Sequence, residues 1–305
     1  MQYRKESGME KAATGGAVES AMGGWLSGLV GVIIFSGSLP ATRVAVADLD
    51  PLFLTAARGA IAGLLSLGLF AIFRQKRPQR EDMLALVVVA LGVVVGFPLL
   101  SAAALRSVTS AHSVVFIGLL PLVTAIFGVL RGGERPHPKF WLFSGLGSSL
   151  VAVFALSRGA DASVFGDTMM LAAIIVCGLG YAEGARLSRR LGGWQVICWA
   201  LVLSLPVMVP LALTRLPASF GEVSSPAWLG LAYVSLFSML IGFFFWYRGL
   251  ALGGIAAVGQ LQLLQPFFSL ALAATLLHET VSAAMLVVTS AVVACVVGAR
   301  KFSRP

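Results

Sequence analysis

The 305-residue chain is 58% hydrophobic and 11% charged, with a net charge of +9, where soluble domains carry roughly 25% charged residues. Too few charges remain for a soluble surface, and apolar runs of about 20 residues between charged clusters are the mark of helices that satisfy their own backbone hydrogen bonds in lipid. The excess of Lys and Arg does not indicate nucleic acid, because it falls in short clusters between the apolar runs, where such residues orient a protein in a bilayer.

In chain order, residues 1–24, with Arg4, Lys5 and Lys11 among glycines and alanines, read as a disordered cytoplasmic tail. The apolar run that follows is long enough to span and lacks the short core of a signal peptide. The first span, Leu26–Val46, contains Ser36, Gly37, Ser38 and Pro40. Transporter binding sites form where helices are broken, so Ser36 and Ser38 are candidate substrate contacts; the same small residues also permit close helix packing. The second span, Leu52–Phe73, carries Arg58, a costly residue in lipid for which a structural partner is the expected explanation.

After Met83–Ala104, the fourth span, Thr109–Leu130, holds His112 and, one turn on, Phe116. Imidazole changes charge near neutral pH, and ionisable groups inside membranes mark pathways. His112 is therefore the first site candidate and Phe116 a candidate aromatic wall; a neutral histidine bonded to a neighbouring helix and a packing phenylalanine are the bland alternatives. The fifth span is Phe140–Ser157. The sixth, Thr168–Leu187, places Tyr181 one turn from Cys177, where its hydroxyl is a candidate substrate contact, and Glu183 is expected to pair with Arg186, Arg189 or Arg190.

Val196–Thr214 and Trp228–Ala251 follow, the latter with the aromatic run Phe243, Phe244, Phe245, Trp246 and Tyr247. That run faces all sides of a helix, so one or two members reach a cavity. Trp246 is the candidate, with anchoring of Trp246 and Tyr247 at the membrane interface as the alternative. The ninth span, Ala256–Leu277, has Gln260, Gln262 and Gln265 just before Pro266. On an α-helical wheel Gln260 and Gln262 point nearly opposite ways, so the three amides cannot share one cavity, and Gln260 is preferred. Val281–Val297 is the tenth span, and 301–305 is a short cytoplasmic tail.

Sorting Lys and Arg by loop leaves Arg43, Arg106, Arg158 and Arg215 on one side and the other basic loop residues opposite. This bias predicts both termini in the cytoplasm. Sliding the second half over the first by 145 positions aligns Leu105 with Leu250, Ala111 with Ala256, Leu119 with Leu264, Pro121 with Pro266 and Glu134 with Glu279. An odd number of helices per half inverts the second half in the membrane. The expected fold is an all-α integral membrane protein of ten transmembrane helices, arranged as two inverted five-helix repeats at 25–158 and 166–300. Pro121 and Pro266 are candidate hinges, because proline removes a backbone hydrogen bond and disturbs the preceding turn; fixed kinks are the alternative.

The run ALRSVTSAHSVVFIGLLPLVTAIFGVLRGGE, Ala104 to Glu134, and its counterpart GLALGGIAAVGQLQLLQPFFSLALAATLLHE resemble the signature of the drug/metabolite transporter superfamily, specifically its EamA-type members. The resemblance spans nearly the whole chain and implies transport of metabolites, often amino acids; aromatic amino-acid exporters of the YddG type belong to the same superfamily. A membrane-embedded enzyme is the competing class. It would need a buried acid pair, a metal cluster or a converging nucleophile and base, and the sequence has no G-x-x-x-x-G-K-[ST] or H-E-x-x-H motif. No cofactor and no metal are expected, and the partners are a small-molecule substrate and the lipid bilayer of the inner (plasma) membrane. A monomer is compatible with the sequence, while Gly180 and Gly184 form a small-x-x-x-small pair that packs helices within or between chains.

Overall fold

The computed structural model describes residues 22–132, 137–156, 163–253 and 258–302. Glu134, the start of the expected ninth span and nearly all of the expected N-terminal tail lie outside them; residues 22–24 of that tail already belong to the first helix. The described residues are helical and contain no strand.

The helices, in chain order, are α1 Met22–Asp48, α2 Pro51–Phe73, α3 Arg80–Ala104, α4 Ser110–Arg131, α5 Pro138–Leu156, α6 Val164–Leu191, α7 Gly193–Thr214, α8 Ser225–Gly253, α9 Gln265–Leu276 and α10 Ala283–Lys301. Among the described residues, seven of these are long and apolar enough to cross a membrane: α1 to α4 and α6 to α8. Their outward faces carry exposed Leu64, Ile72, Leu84 and Leu229, the surface a hydrocarbon solvent accepts at no cost.

Local chemistry starts these helices where they start. Asp50 accepts from the backbone N–H of Leu52 (2.9 Å) and of Phe53 (3.3 Å) ahead of Pro51, and Thr109, Ser163 and Ser224 cap α4, α6 and α8 in the same way. Each satisfies an N–H that has no partner within its helix. The carboxylate of Glu279 adds to the cap of α4, accepting from Ser110 N (3.2 Å), Ala111 N (2.9 Å) and Ser110 Oγ (2.7 Å). The second-half glutamate of the repeat thus stabilises the positive end of a first-half helix.

Helix α2 packs on α7, α5 on α10, α1 on α8 and α3 on α6, with α4 against α6 and α9, and α9 against α1. Advancing every helix number by five returns the same set of pairs. The α1–α8 contact is close because it is lined by glycines: a Cβ on Gly249 would stand 2.7 Å from the backbone N of Gly28. Gly180 packs on Val93 and Gly92 of α3, and Gly184 packs on the Tyr247 ring, so the small-x-x-x-small pair is used inside the chain.

Several of these helices are irregular, and the irregularities recur in the two halves. Segments of α3 (Ala90–Gly96) and α8 (Val234–Ile241) are π-helical. Helix α4 is interrupted at 118–119, and the 3-10 segment Gly259–Leu264 precedes α9, each break standing immediately before the repeat's proline. Helix α1 is broken at Gly37.

Candidate functional site

The break in α1 has a definite cause. Pro40 has no N–H to give the carbonyl of Ser36 four residues earlier, and the Ser269 hydroxyl of α9 supplies that hydrogen bond instead, at 2.8 Å. The Tyr233 hydroxyl donates to Ile34 O at 2.7 Å, and Gln265 Nε2 reaches Phe35 O at 3.5 Å. The opened backbone is therefore held by protein groups rather than presented to a ligand, and the Ser36 hydroxyl turns back to Val32 O (2.7 Å). Ser269→Ala leaves a buried carbonyl unsatisfied and is expected to lower stability by about 1–3 kcal/mol, measurable by thermal denaturation in detergent.

Beside this break lies an enclosed cavity at the centre of the molecule. Ser38 and Phe35 of α1, Arg58 of α2, Leu120 of α4 and Gln265 of α9 line it, together with Cys177 and Tyr181 of α6. The two π-helical regions complete its walls with Val93, Phe97 and Pro98 from α3 and Ser238, Met239 and Phe243 from α8. Only about 20 Å³ of it accepts the centre of a water molecule, about the room one water needs, so this arrangement must widen to admit a metabolite.

One wall is aromatic. Phe35 lies 4.8 Å from Phe243 and 6.5 Å from Tyr181, centroid to centroid, and Tyr181 lies 5.8 Å from Phe243. Another part of the lining is polar: Arg58 Nη2 donates to Ser238 Oγ at 3.2 Å, and Ser238 Oγ shares a 2.7 Å hydrogen bond with Ser38 Oγ. Arg58 is 4% exposed and its Nε has no partner. Among the described residues no carboxylate pairs with it; Ser238 of α8 is its hydrogen-bonding partner, and the guanidinium lines the cavity.

Of the residues singled out in the sequence, Ser38 and Tyr181 meet at this cavity. Trp246 does not line it. The indole is fully buried behind Tyr181, at 5.8 Å, and with Tyr247 equally buried neither residue is an interface anchor. Gln260 is preceded and followed by 3-10 backbone, which turns side chains by a different angle from the α-helical wheel; Gln265 lines the cavity, and Gln262 is buried with both amide atoms unpaired. The side chain of Gln260 lies outside the described set.

His112 and Phe116, with rings 5.8 Å apart, are not among the residues that line the cavity. His112 Nε2 is 2.6 Å from Asp167 Oδ1 of α6, with 8% and 13% of the two side chains exposed. Asp167 and His112 are far apart in sequence, and the helix-end position of Asp167 gave no sign of this contact. The other end of the α4–α6 interface holds Glu183, fully buried, between Arg131 and Arg186 (2.8 Å), while Arg190 of α6 reaches Asp82 of α3. Charged pairs thus tie α6 to its neighbours at both ends of the cavity. Pro121 and Pro266 stand in the first turns after the breaks, beside cavity residues Leu120 and Gln265.

The EamA-like transporter family matches this chain twice, at residues 22–158 and 164–300. The chain belongs to the EamA-like transporter family. This places it in the drug/metabolite transporter superfamily, as a membrane transporter. A Bacillus subtilis protein described as the uncharacterized transporter YdeK is 66% identical over 281 residues, covering 92% of this chain and 98% of the relative. An uncharacterized transporter of Archaeoglobus fulgidus is 22% identical over 257 residues, covering 81% and 87%. A solved crystal structure shares the fold with a TM-score of 0.65 at 18% identity, over 90% of this chain and 96% of that one. The EamA-like match in both halves runs across the same helices whose packing and irregularities recur.

Proposed function

We propose that this EamA-like protein is an exporter or facilitative carrier of small metabolites, foremost amino acids with aromatic or neutral side chains, moved through the central cavity by alternating access. The observation that carries this reading is the cavity itself, with an aromatic wall suited to an apolar body and a polar face of hydroxyl, amide and guanidinium. Two inverted five-helix repeats, ten transmembrane helices in all, account for the helix pairs that return when the numbering advances by five and for the paired π-segments and paired breaks. The basic-residue bias supports an inner (plasma) membrane protein with both termini in the cytoplasm, so that the His112–Asp167 end faces outward and the Glu183 end inward.

Ser38 and Tyr181 contact substrate in this scheme, with Trp246 bracing Tyr181 from behind. His112, with Phe116 beside it, and Asp167 form the outer gate. Pro121 and Pro266 are hinges, because each lies where the helix is already interrupted and little backbone bonding opposes bending. No cofactor is invoked, and one chain contains both halves of the pathway, so a monomer suffices.

Uptake of a radiolabelled amino-acid panel into liposomes containing the purified protein tests the reading. Saturable uptake without an imposed pH gradient is expected, with at least a tenfold loss in His112→Ala inserted at the same density. Folded protein that moves no panel member in either direction would sink it.

A further inference from the structure

We infer that Arg58 anchors the substrate through a carboxylate group. The inference rests on the reading of the central cavity as the transport site and adds the chemistry of what that site recognises.

Arg58 differs from the other arginines that reach partners in the structure. Arg131 and Arg186 meet Glu183, Arg190 meets Asp82, Arg106 approaches Asp50 at 4.0 Å, and Arg43 donates to Leu105 O. Arg58 makes one neutral hydrogen bond, to Ser238 Oγ at 3.2 Å, while its Nε is buried without a partner. It begins the third turn of α2, roughly 10 Å below the first residue of the helix at 1.5 Å per residue, with 4% of its surface exposed. A guanidinium keeps its charge and has five donors to satisfy. Burying it without an opposite charge is destabilising, and a chain that keeps it in the wall of its central cavity gains from it only when an anion arrives.

The other cavity groups define that anion. Among the described residues no Asp or Glu lines the cavity, so none of them already neutralises Arg58. The planar fork of donors matches a carboxylate in two parallel hydrogen bonds, and one guanidinium with two serine hydroxyls is too sparse for a phosphate dianion. Phe35, Tyr181 and Phe243 take an apolar or aromatic body. The Oε1 of Gln265 is a buried acceptor with no partner on the same cavity, so an amino group can be received there, but a neutral acceptor does not demand a cation. The carboxylate is the required element and the amino group is optional.

The test compares L-phenylalanine, 3-phenylpropionate, L-phenylalaninamide and 2-phenylethylamine, measured as shifts in Tm of the full-length protein in detergent and as competition for uptake in liposomes. Both carboxylates are expected to bind. The amide and the amine should bind at least 100-fold more weakly than phenylalanine, whereas removing the amino group costs less than tenfold. Arg58→Gln should lose the carboxylate-induced shift yet unfold at a higher temperature than the unmodified protein without ligand, because a buried uncompensated charge has been removed; Arg58→Lys should bind about tenfold more weakly than the unmodified protein. Equal shifts from acid and amide, no shift from either acid, or a lower ligand-free Tm in Arg58→Gln would each overturn the anchor. Retained uptake in Arg58→Gln with unchanged KM would overturn the anchor and leave the carrier reading intact. Acid-selective Tm shifts with no transport would overturn the carrier reading and leave the anchor.

Discussion

Replacing Arg131 and Arg186 together by leucine lowers stability by about 3–5 kcal/mol, whereas Glu183→Gln costs only about 1 kcal/mol. The asymmetry comes from burial. Glu183 is fully buried, while the side chains of Arg131 and Arg186 are 48% and 57% exposed. Without the carboxylate, both arginines turn their charge toward water along their long stems. Without the arginines, the carboxylate stays enclosed between α4 and α6, and an ionised group there has no compensating charge. Each single arginine variant leaves one partner in place and should fall between the two extremes. Thermal or denaturant unfolding in detergent measures the order; equal losses for Glu183→Gln and the double variant would mean that the arginines stabilise the helix ends by some other contact.

Asp167→Ala increases labelling of Cys177 by a membrane-impermeant thiol reagent about 10- to 100-fold. Cys177 is a native reporter, a free and buried thiol in the cavity wall. His112 and Asp167 hold α4 to α6 at one end of the path to it, at 2.6 Å and largely out of water. A hydrogen bond to a charged group contributes about 1.5–3 kcal/mol, and each 1.4 kcal/mol is tenfold in an equilibrium, so losing it shifts the population toward the form open at that end by about this factor. The measurement uses a background in which Cys198 and Cys295 are alanine, with reagent applied on the His112 side. His112→Ala should reproduce the effect, and the two changes together should add little to either alone, because they remove the same contact. Labelling that stays at the unmodified rate in both variants would exclude this pair as a gate. A substrate that slows labelling in Asp167→Ala would link the opened path to the cavity Arg58 faces.

Much of the architecture is written in local pattern. Apolar runs set by the thickness of the hydrocarbon fix where α1 to α4 and α6 to α8 lie, give or take a turn at their ends, because any helix in lipid must be long and apolar regardless of its neighbours. The break at Gly37 is equally legible, since proline removes a particular hydrogen bond whatever surrounds it. The alignment of Pro121 with Pro266 finds the two interrupted helices, and the resemblance carried by those runs finds the family.

The direction in which a polar side chain points belongs to tertiary structure. Arg58 reads from sequence as a residue in need of a structural partner, and only the assembly of α1, α2 and α8 around it reveals a cavity in whose wall, among the described residues, no carboxylate stands. Gln265 lines that cavity, and because the backbone before α9 is 3-10, a wheel drawn at 100° per residue is the wrong guide to the faces of Gln260 and Gln262. Trp246 falls behind Tyr181, a placement that the run of five consecutive aromatics does not indicate. His112 is visible as an ionisable group in a span, but its partner Asp167 sits at a helix end that looks solvated until α6 packs against α4. Sequence determined the helices because lipid imposes that requirement on each segment separately. The site was decided only when irregular turns and helix packing set each rotation, because a contact between helices is a property of both of them at once.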